Sequence, residues 1–215
     1  MDFHNIIKNY SNVFWDFDGV IKESVDIKKK AFITLFSRYG PKVTQKIVEH
    51  HYDNGGISRY EKFPLYLSWV NEIVNDEKIN YLDKQFRSIV VSNVVNSDWV
   101  PGADLFLKKN EYRQKFYLVS ATPQNEIEEI IDHLGMRYSF KKIFGSPVSK
   151  ISAISTILKE DSLKFHDCIM VGDSISDYEA AQKNGISFIL RRHNNNQKYA
   201  SKYIGNVIDN FIKNN

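Results

Sequence analysis

Two aspartates stand two positions apart at the end of an apolar run, in the segment VFWDFDGV at residues 13–20. Side chains two residues apart in a strand lie on the same face, so Asp16 and Asp18 would point the same way. Neighbouring carboxylates repel each other unless a cation or a shared proton lies between them. The pair therefore suggests a cation site, although turn-forming acids before Gly19 at the end of a strand give the same pattern.

Two later apolar runs also end in polar residues: KFYLVSAT at 115–122 and DCIMVGDS at 167–174. Segments with helical spacing, such as 123–135 and 149–160, alternate with the predicted strands. This alternation predicts an α/β fold with a doubly wound, Rossmann-like parallel sheet, in which ligands bind beyond the carboxyl ends of the strands. We expect six polar residues to meet at that edge: Asp16, Asp18, Ser120, Thr122, Asp173 and Ser174.

Residues 22–96 contain no convincing strand pattern. Apolar spacing predicts four helices there, over 27–40, 42–56, 58–74 and 76–95, with a kink or restart at Pro64. We therefore expect an α/β core of residues 1–21 and 97–215, with a four-helix domain of residues 22–96 inserted. The aromatic residues of the insert are interpreted as its packing seam.

Composition narrows the class of protein. The chain has 215 residues and a formal net charge of +3, and its basic clusters are short, which argues against a nucleic-acid partner. The single cysteine, Cys168, lies in an apolar run and excludes an internal disulfide. The N-terminal segment has no apolar stretch typical of a signal peptide, and no run reaches the length of a membrane span. These features predict a soluble, cytoplasmic protein without a membrane partner.

Four segments together resemble the motifs of the haloacid dehalogenase-like phosphotransferase superfamily. They are WDFDGV, YLVSAT, the lone lysine Lys150 in FGSPVSK, and IMVGDSISD, in the family's order and each on the expected element. The helical block between the first two is similar to the four-helix cap of phosphoglycolate phosphatases and β-phosphoglucomutases. The resemblance implies an enzyme that acts on phosphate esters.

The resemblance also implies roles for the acidic residues. Asp16 would be the nucleophile and a metal ligand, forming an aspartyl-phosphate. Asp18 would protonate the leaving oxygen, accept a proton from water, and give its backbone carbonyl as a second metal ligand. Asp173 would be the third ligand, although an aspartate there could also be a plain helix cap. The metal would be Mg²⁺, which prefers oxygen ligands and cancels the repulsion between a carboxylate and a phosphate.

Further residues would hold the phosphate. Ser120 and the backbone N–H of Ala121 would donate to phosphate oxygens, helped by the start of the following helix. Lys150 would neutralise the phosphate, and Asp177 would anchor Lys150 or a metal-bound water. Taken alone, Lys150 has the ordinary alternative of a surface lysine. Thr122 is interpreted as a local cap for the helix that follows it.

The segment GGISRYEKF at 55–63 carries the prediction for substrate choice. It resembles the cap loop of β-phosphoglucomutase-like members, whose arginine reaches the substrate, so Arg59 is the candidate substrate-binding residue of the cap. The alternative for Arg59 is a surface salt bridge to Glu61 or Glu49. A metal pair of His50 and His51 is not expected, because adjacent helical residues point apart.

These features predict a Mg²⁺-dependent phosphatase for a small phosphorylated metabolite, such as a sugar phosphate or phosphoglycolate. The alternative is a phosphosugar mutase, but Lys28 stands where the mutases carry a histidine. A non-catalytic binding protein is a third class, and the joint presence of the four motif residues argues against it. Asp18 argues against a dehalogenase or a phosphonatase. Both a monomer and a homodimer remain open.

Overall fold

Six parallel strands form one sheet in the computed structural model, which describes residues 2–213. The strands are β1 (Asn12–Trp15), β2 (Lys115–Pro123), β3 (Lys142–Ser146), β4 (Cys168–Gly172), β5 (Ser187–Arg191) and β6 (Asn206–Ile208). Their order across the sheet is β3-β2-β1-β4-β5-β6, so β1 lies between β2 and β4. The predicted α/β fold with a parallel sheet is confirmed.

From Val13 to Trp15 the sequence of the central strand β1 is continuously apolar because both faces of the strand are buried. Each of its four residues is buried, because helices cover both faces of the sheet. Val13 and Trp15 pack into one hydrophobic core, whereas Phe14 packs into the other. Val13 is level with Phe116 of β2 and with Ile169 of β4. This register brings the carboxyl ends of the three strands together, as the sequence predicted.

Outside the segment between β1 and β2, helices alternate with the strands. They are α1 (Phe3–Ile7) before β1, and after β2 the helices α7 (Gln124–His133), α8 (Lys150–Glu160), α9 (Ile175–Lys183) and α10 (Gln197–Ala200). Helix α1, strand β6 and the short α10 lie in segments for which the sequence analysis predicted no element. All three are short, and short elements carry too few residues for a clear apolar period.

Five helices are inserted between β1 and β2: α2 (Val25–Phe36), α3 (Pro41–Asp53), α4 (Arg59–Ser68), α5 (Asp76–Asn96) and α6 (Ala103–Lys109). Pro41 begins α3, where a missing N–H has no cost. The side chains of Ser58 and Asn75 cap α4 and α5. Helix α4 continues through Pro64, so the alternative of a restart at this proline is wrong.

Aromatic rings join the inserted helices. The ring of Phe32 on α2 lies 4.6 Å from that of Phe86 on α5 and 5.8 Å from that of Phe63 on α4. Such edge and tilted contacts are typical of a packed core, as predicted for this segment. By contrast, Phe106 of α6 packs on Phe3 and Trp15, against the sheet.

Within residues 2–213, no helix combines the length and the apolar character needed to cross a membrane.

Candidate active site

Asp16 and Asp173 lie directly beyond the ends of neighbouring strands. Asp16 follows β1 and Asp173 follows β4, and both carboxylates are buried. The side chain of Lys150, the first residue of α8, reaches the same point. Its Nζ lies 2.8 Å from Asp16 Oδ1 and 2.6 Å from Asp177 Oδ1. Lys150 is buried and paired with two carboxylates, so the alternative of an ordinary surface lysine is wrong.

Asp177 is fixed by the start of α9. Its Oδ2 accepts hydrogen bonds from the backbone N–H groups of Asp173 and Ser174, at 3.2 and 3.1 Å, and from Ser174 Oγ at 2.6 Å. Ser174 in turn caps the helix in a capping box. Both carboxylate oxygens of Asp177 are therefore engaged, and the residue anchors Lys150.

Gly19, which follows the two aspartates, lies at a position that requires glycine. Its φ is +74°, a backbone conformation that residues with a side chain rarely adopt. A Cβ atom at this position would also lie 2.4 Å from Asp173 Oδ2. Glycine thus permits the loop after β1 to pass close to the carboxylate that follows β4.

Asp18 lies in a network of polar side chains. Its carboxylate accepts a hydrogen bond from Ser24 Oγ at 2.6 Å and forms an ion pair with Lys28. Thr122 Oγ1 lies 3.3 Å from Asp18 Oδ2 and accepts from Lys28 Nζ at 2.7 Å. The interpretation of Thr122 as a helix cap is wrong, because α7 begins without a side-chain cap and the hydroxyl faces Asp18 instead.

The carboxylates differ in their electrostatics. Burial raises the pKa of Asp16 well above its ordinary value, and repulsion from Asp177 adds to this effect. Burial also acts on Asp18, but Lys28 and Ser24 outweigh it and lower the pKa of this carboxyl. For Lys150, attraction to Asp16 and Asp177 outweighs burial and raises the pKa.

Three of these carboxylates could hold a metal ion. Oxygen atoms of Asp16, Asp173 and Asp177 lie within 4.8 Å of one another. Lys150 offsets part of the negative charge of Asp16 and Asp177, and the all-oxygen donor set suits a further, hard divalent cation. Because Asp177 is already engaged, Asp16 and Asp173 are the better candidates for ligands. The residues therefore fit a cation of the Mg²⁺ type.

The predicted phosphate-binding residues lie at the end of β2. Ser120 is buried, and its Oγ accepts a hydrogen bond from the backbone N–H of Thr122 at 3.1 Å. Ala121 lines a pocket that Asp16, Asp18 and Lys150 also line. Helix α7 begins three residues later, so its N-terminus lies beside this pocket.

The inserted helices close the other side of the pocket. Gly55, Gly56, Arg59 and Lys62 line it together with the residues of the sheet edge. The guanidinium of Arg59 donates to Glu126 of α7 at 3.0 and 2.7 Å, and to Asp83 of α5 at 2.6 Å. Arg59 thus lies in the pocket with its guanidinium paired to protein carboxylates.

The comparison with known families decides the class of this chain. Residues 13–191, more than half of the chain, match the model of the family described as haloacid dehalogenase-like hydrolase. The chain belongs to the haloacid dehalogenase-like hydrolase family. The resemblance found in the four sequence motifs is thereby confirmed.

Individual relatives within the family are distant. The chain is 23% identical to a 5'-nucleotidase of Pseudomonas aeruginosa over 194 residues, which cover 84% of this chain and 81% of the relative. Two solved structures share the fold. One is a predicted phosphoglycolate phosphatase of Haemophilus somnus, with a TM-score of 0.74 and 16% identity, covering 94% of this chain and 95% of that one. The other is the β-phosphoglucomutase of Clostridium difficile, with a TM-score of 0.72 and 21% identity, covering 94% and 92%.

Sequence reasoning missed part of this hydrolase site. His193 Nε2 lies 2.8 Å from Asp173 Oδ2, and Asn196 Nδ2 donates to the backbone oxygen of Asp173 at 2.7 Å. Both residues belong to the polar loop after β5, a segment to which the sequence analysis assigns no role. The available signal was the position of His193 just beyond the carboxyl end of a strand next to β4.

Proposed function

We propose that this chain is a Mg²⁺-dependent phosphatase that hydrolyses a small phosphorylated metabolite through an aspartyl-phosphate on Asp16. The observation that carries this proposal is the meeting of Asp16, Asp18, Lys150 and Asp173 around one pocket. A nucleophile, an acid–base group, a phosphate-neutralising cation and a metal ligand are what the reaction needs.

The first step transfers the phosphoryl group to the enzyme. An oxygen of Asp16 forms a bond to phosphorus while the bond from phosphorus to the leaving oxygen breaks. Asp18 gives the leaving oxygen the proton that it takes from water in the second step of each turnover, so it enters the first step protonated even though Lys28 favours its ionised form. Lys150, 2.8 Å from Asp16, offsets the negative charge of the phosphate and of the nucleophile.

The second step returns the enzyme to its starting state. Asp18, now ionised, accepts a proton from a water molecule that attacks phosphorus, and the bond between phosphorus and Asp16 breaks. Lys28 lies beside Asp18 and favours the ionised carboxylate that this role requires. Ser120 and the N–H of Ala121 hold the phosphate oxygens during both steps.

Asp16, Asp173 and the backbone carbonyl of Asp18 would hold the magnesium ion. When bound, it supplies positive charge that reduces the repulsion between the phosphate and these carboxylates. Asp177 supports the arrangement by anchoring Lys150, and His193 orients Asp173.

A hydrolase is favoured over the phosphosugar mutase because of Lys28. This lysine occupies the position at which the sequence resemblance gives the mutases a histidine, and it is engaged with Asp18 and Thr122. The 5'-nucleotidase relative and the phosphoglycolate phosphatase neighbour support a phosphate monoester as substrate and leave its identity open. Residues 22–96 would act as a cap over the site, in a cytoplasmic monomer or homodimer.

The test is a screen of phosphorylated metabolites that includes sugar phosphates, phosphoglycolate and nucleoside monophosphates. We expect Mg²⁺-dependent release of inorganic phosphate from at least one of them, and loss of release in EDTA. Conversion of a sugar phosphate to its isomer without phosphate release would instead identify a mutase. Phosphate release that survives full chelation would contradict the proposal.

A further inference from the structure

The basic residues that line the active-site pocket differ in their partners. Lys28 is paired with Asp18, Lys150 with Asp16 and Asp177, and Arg59 with Glu126 and Asp83. Lys62 also lines the pocket, yet it forms no ion pair with any residue of the described chain, 2–213. Among the lysines and arginines of this pocket, Lys62 is therefore the one whose charged group no carboxylate of the described residues contacts, although Asp18 and Glu61 act on it from farther away.

The surroundings of Lys62 make this unusual. The side chain lies on α4 and is only 1% exposed. Its Nζ lies 3.1 Å from His51 Nδ1 on α3 and 5.7 Å from the centre of the Phe32 ring. Burying an ammonium group without a counter-charge is costly, since neither an imidazole nor a phenyl ring carries negative charge. Burial accordingly lowers the pKa of Lys62 to about 7.

His51 provides a second, independent observation. It also lines the pocket and is 3% exposed, and its Nε2 has no hydrogen-bond partner among the described residues. The backbone of Val25 interacts with the ring and offsets part of the lowering of the His51 pKa that burial causes, but it forms no regular hydrogen bond to Nε2. When a protonated Lys62 donates a hydrogen bond to Nδ1, the neutral ring carries its proton on Nε2. In this state the Nε2–H of His51 has no regular hydrogen-bond acceptor, and no carboxylate contacts the neighbouring Lys62 ammonium.

We infer that Lys62 and His51 form a subsite in the helical insert that binds a second anionic group of the phosphorylated substrate. This inference rests on the proposed phosphatase function, because Lys150 and Ala121 of the same pocket would hold the phosphate that reacts. A carboxylate or a second phosphate supplies what both residues lack: a counter-charge for the Lys62 ammonium and an acceptor for the Nε2–H of His51. The substrate is then a phosphate monoester with another negative charge at its far end.

The existing partners of Arg59 favour Lys62 over Arg59 as the residue that binds the second anionic group. Its guanidinium has five N–H donors, and in the structure three of its nitrogens already donate to Glu126 and Asp83. A substrate anion would have to compete with two protein carboxylates for Arg59, whereas Lys62 has no such competitor. The subsite accordingly lies at Lys62.

The experiment measures binding, so that it is independent of turnover. The probes are phosphonoacetate and its longer homologues, each compared with the amide of the same length in the presence of Mg²⁺. We expect the best carboxylate to bind the wild-type protein about tenfold to a hundredfold more tightly than its amide, as for a charge-assisted hydrogen bond. Alkyl bisphosphonates, compared with monophosphonates of equal length, form a second arm that distinguishes a second phosphate from a carboxylate.

Two variants and a matched control complete the test. Lys62→Met should reduce the ratio of carboxylate to amide affinity to about one, and His51→Asn should reduce it severalfold. Lys22→Met is the control, because Lys22 is equally buried but lies outside the pocket, with Nζ on the backbone oxygen of Val95. It should keep the wild-type ratio.

The outcomes separate the two proposals. A wild-type protein without preference for either second anion would overturn the subsite, and so would a preference that persists in Lys62→Met. If Lys62→Met does not fold, a wild-type ratio of carboxylate to amide affinity in His51→Asn would overturn the subsite instead. Absence of phosphate release from every metabolite, combined with a Lys62-dependent preference for the charged phosphonate, would overturn only the phosphatase function.

Discussion

Arg59 of α4 and Glu126 of α7 form a buried, two-pronged ion pair between the inserted helices and the α/β core. Nη1 lies 3.0 Å from Oε1 and Nη2 lies 2.7 Å from Oε2, and the two side chains are 5% and 1% exposed. Asp83 of α5 takes the Nε–H at 2.6 Å. Parallel bonds of this kind fix both distance and orientation. The pair therefore positions α4, and with it Lys62, relative to the sheet edge.

The Arg59 pair makes a first prediction. Arg59→Ala leaves the buried carboxylate of Glu126 and the half-buried one of Asp83 without this partner, and it should lower the free energy of unfolding by about 3 kcal/mol. Chemical denaturation measures this loss. Arg87→Ala removes a more exposed pair, between α5 and Glu129 of α7, and should cost no more than about 1 kcal/mol. Equal costs for the two variants would contradict the account of the Arg59 pair.

Kinetics test whether Arg59 also binds substrate, which stays a prediction from the sequence. If Arg59 acts through Glu126, Arg59→Ala and Glu126→Gln should lower kcat/KM similarly, for the natural substrate and for p-nitrophenyl phosphate alike. A loss on the natural substrate that spares p-nitrophenyl phosphate, and that Glu126→Gln does not reproduce, would identify a substrate contact.

The glycine pair 55–56 gives a prediction about how closely the inserted helices approach α9. A Cβ atom on Gly56 would lie 1.8 Å from Ser176 Oγ and 2.6 Å from Ser174 Oγ, whereas one on Gly55 would meet nothing within 4 Å. Gly56→Ala should therefore hold this loop away from the start of α9 and lower kcat/KM by roughly tenfold, since a displacement of about 1 Å can cost more than that. Gly55→Ala is the matched control and should retain kcat/KM. Equal kinetics for the two variants would exclude close packing of Gly56 during catalysis.

Asp173 gives a prediction for the metal. Removing an oxygen ligand in Asp173→Ala should raise the Mg²⁺ concentration needed for half-maximal activity by about tenfold or more. A Mg²⁺ titration of phosphate release measures this change. Asp209→Asn, which removes an exposed carboxylate from the same sheet edge, should leave the requirement unchanged. An unaltered requirement in Asp173→Ala would remove this residue from the metal site.

Lys62 gives a prediction for pH. Burial lowers the pKa of Lys62 from its ordinary value of 10.5 to about 7, so between these values the unfolded chain binds more protons than the folded one. Stability must then rise with pH in this window. Relative to Lys62→Met, the wild-type protein should gain about 2 kcal/mol in the free energy of unfolding between pH 7 and pH 9. Parallel pH profiles for the two proteins would show that Lys62 does not titrate in this range.

The fold and the core of the site could be predicted from the sequence because their signals are local. Buried parallel strands need apolar runs on both faces, and a ligand site at their carboxyl ends needs polar residues immediately after them. VFWDFDGV and IMVGDS carry both signals within a few residues. Asp16 and Asp173 therefore come together as soon as β1 and β4 are neighbours.

The contacts between the inserted helices and the core could not be predicted in this way. Arg59 and Glu126 are 67 positions apart, and their meeting depends on how the inserted helices sit on the sheet. Lys62 has the sequence environment of an exposed helical lysine, and only packing against His51 and Phe32 buries it. The loop at His193 looked like an ordinary polar connection, because a hydrogen bond to Asp173 leaves no pattern in the sequence.

Acid quenching during turnover traps the covalent intermediate that the mechanism places on Asp16. With the best substrate and Mg²⁺, the wild-type protein should yield a phosphorylated peptide that contains Asp16. Asp16→Asn keeps the shape of the side chain but loses the anionic nucleophile, so it should show no adduct and less than about 1% of the wild-type rate. Steady phosphate release without an adduct on Asp16, together with substantial turnover by Asp16→Asn, would contradict the account.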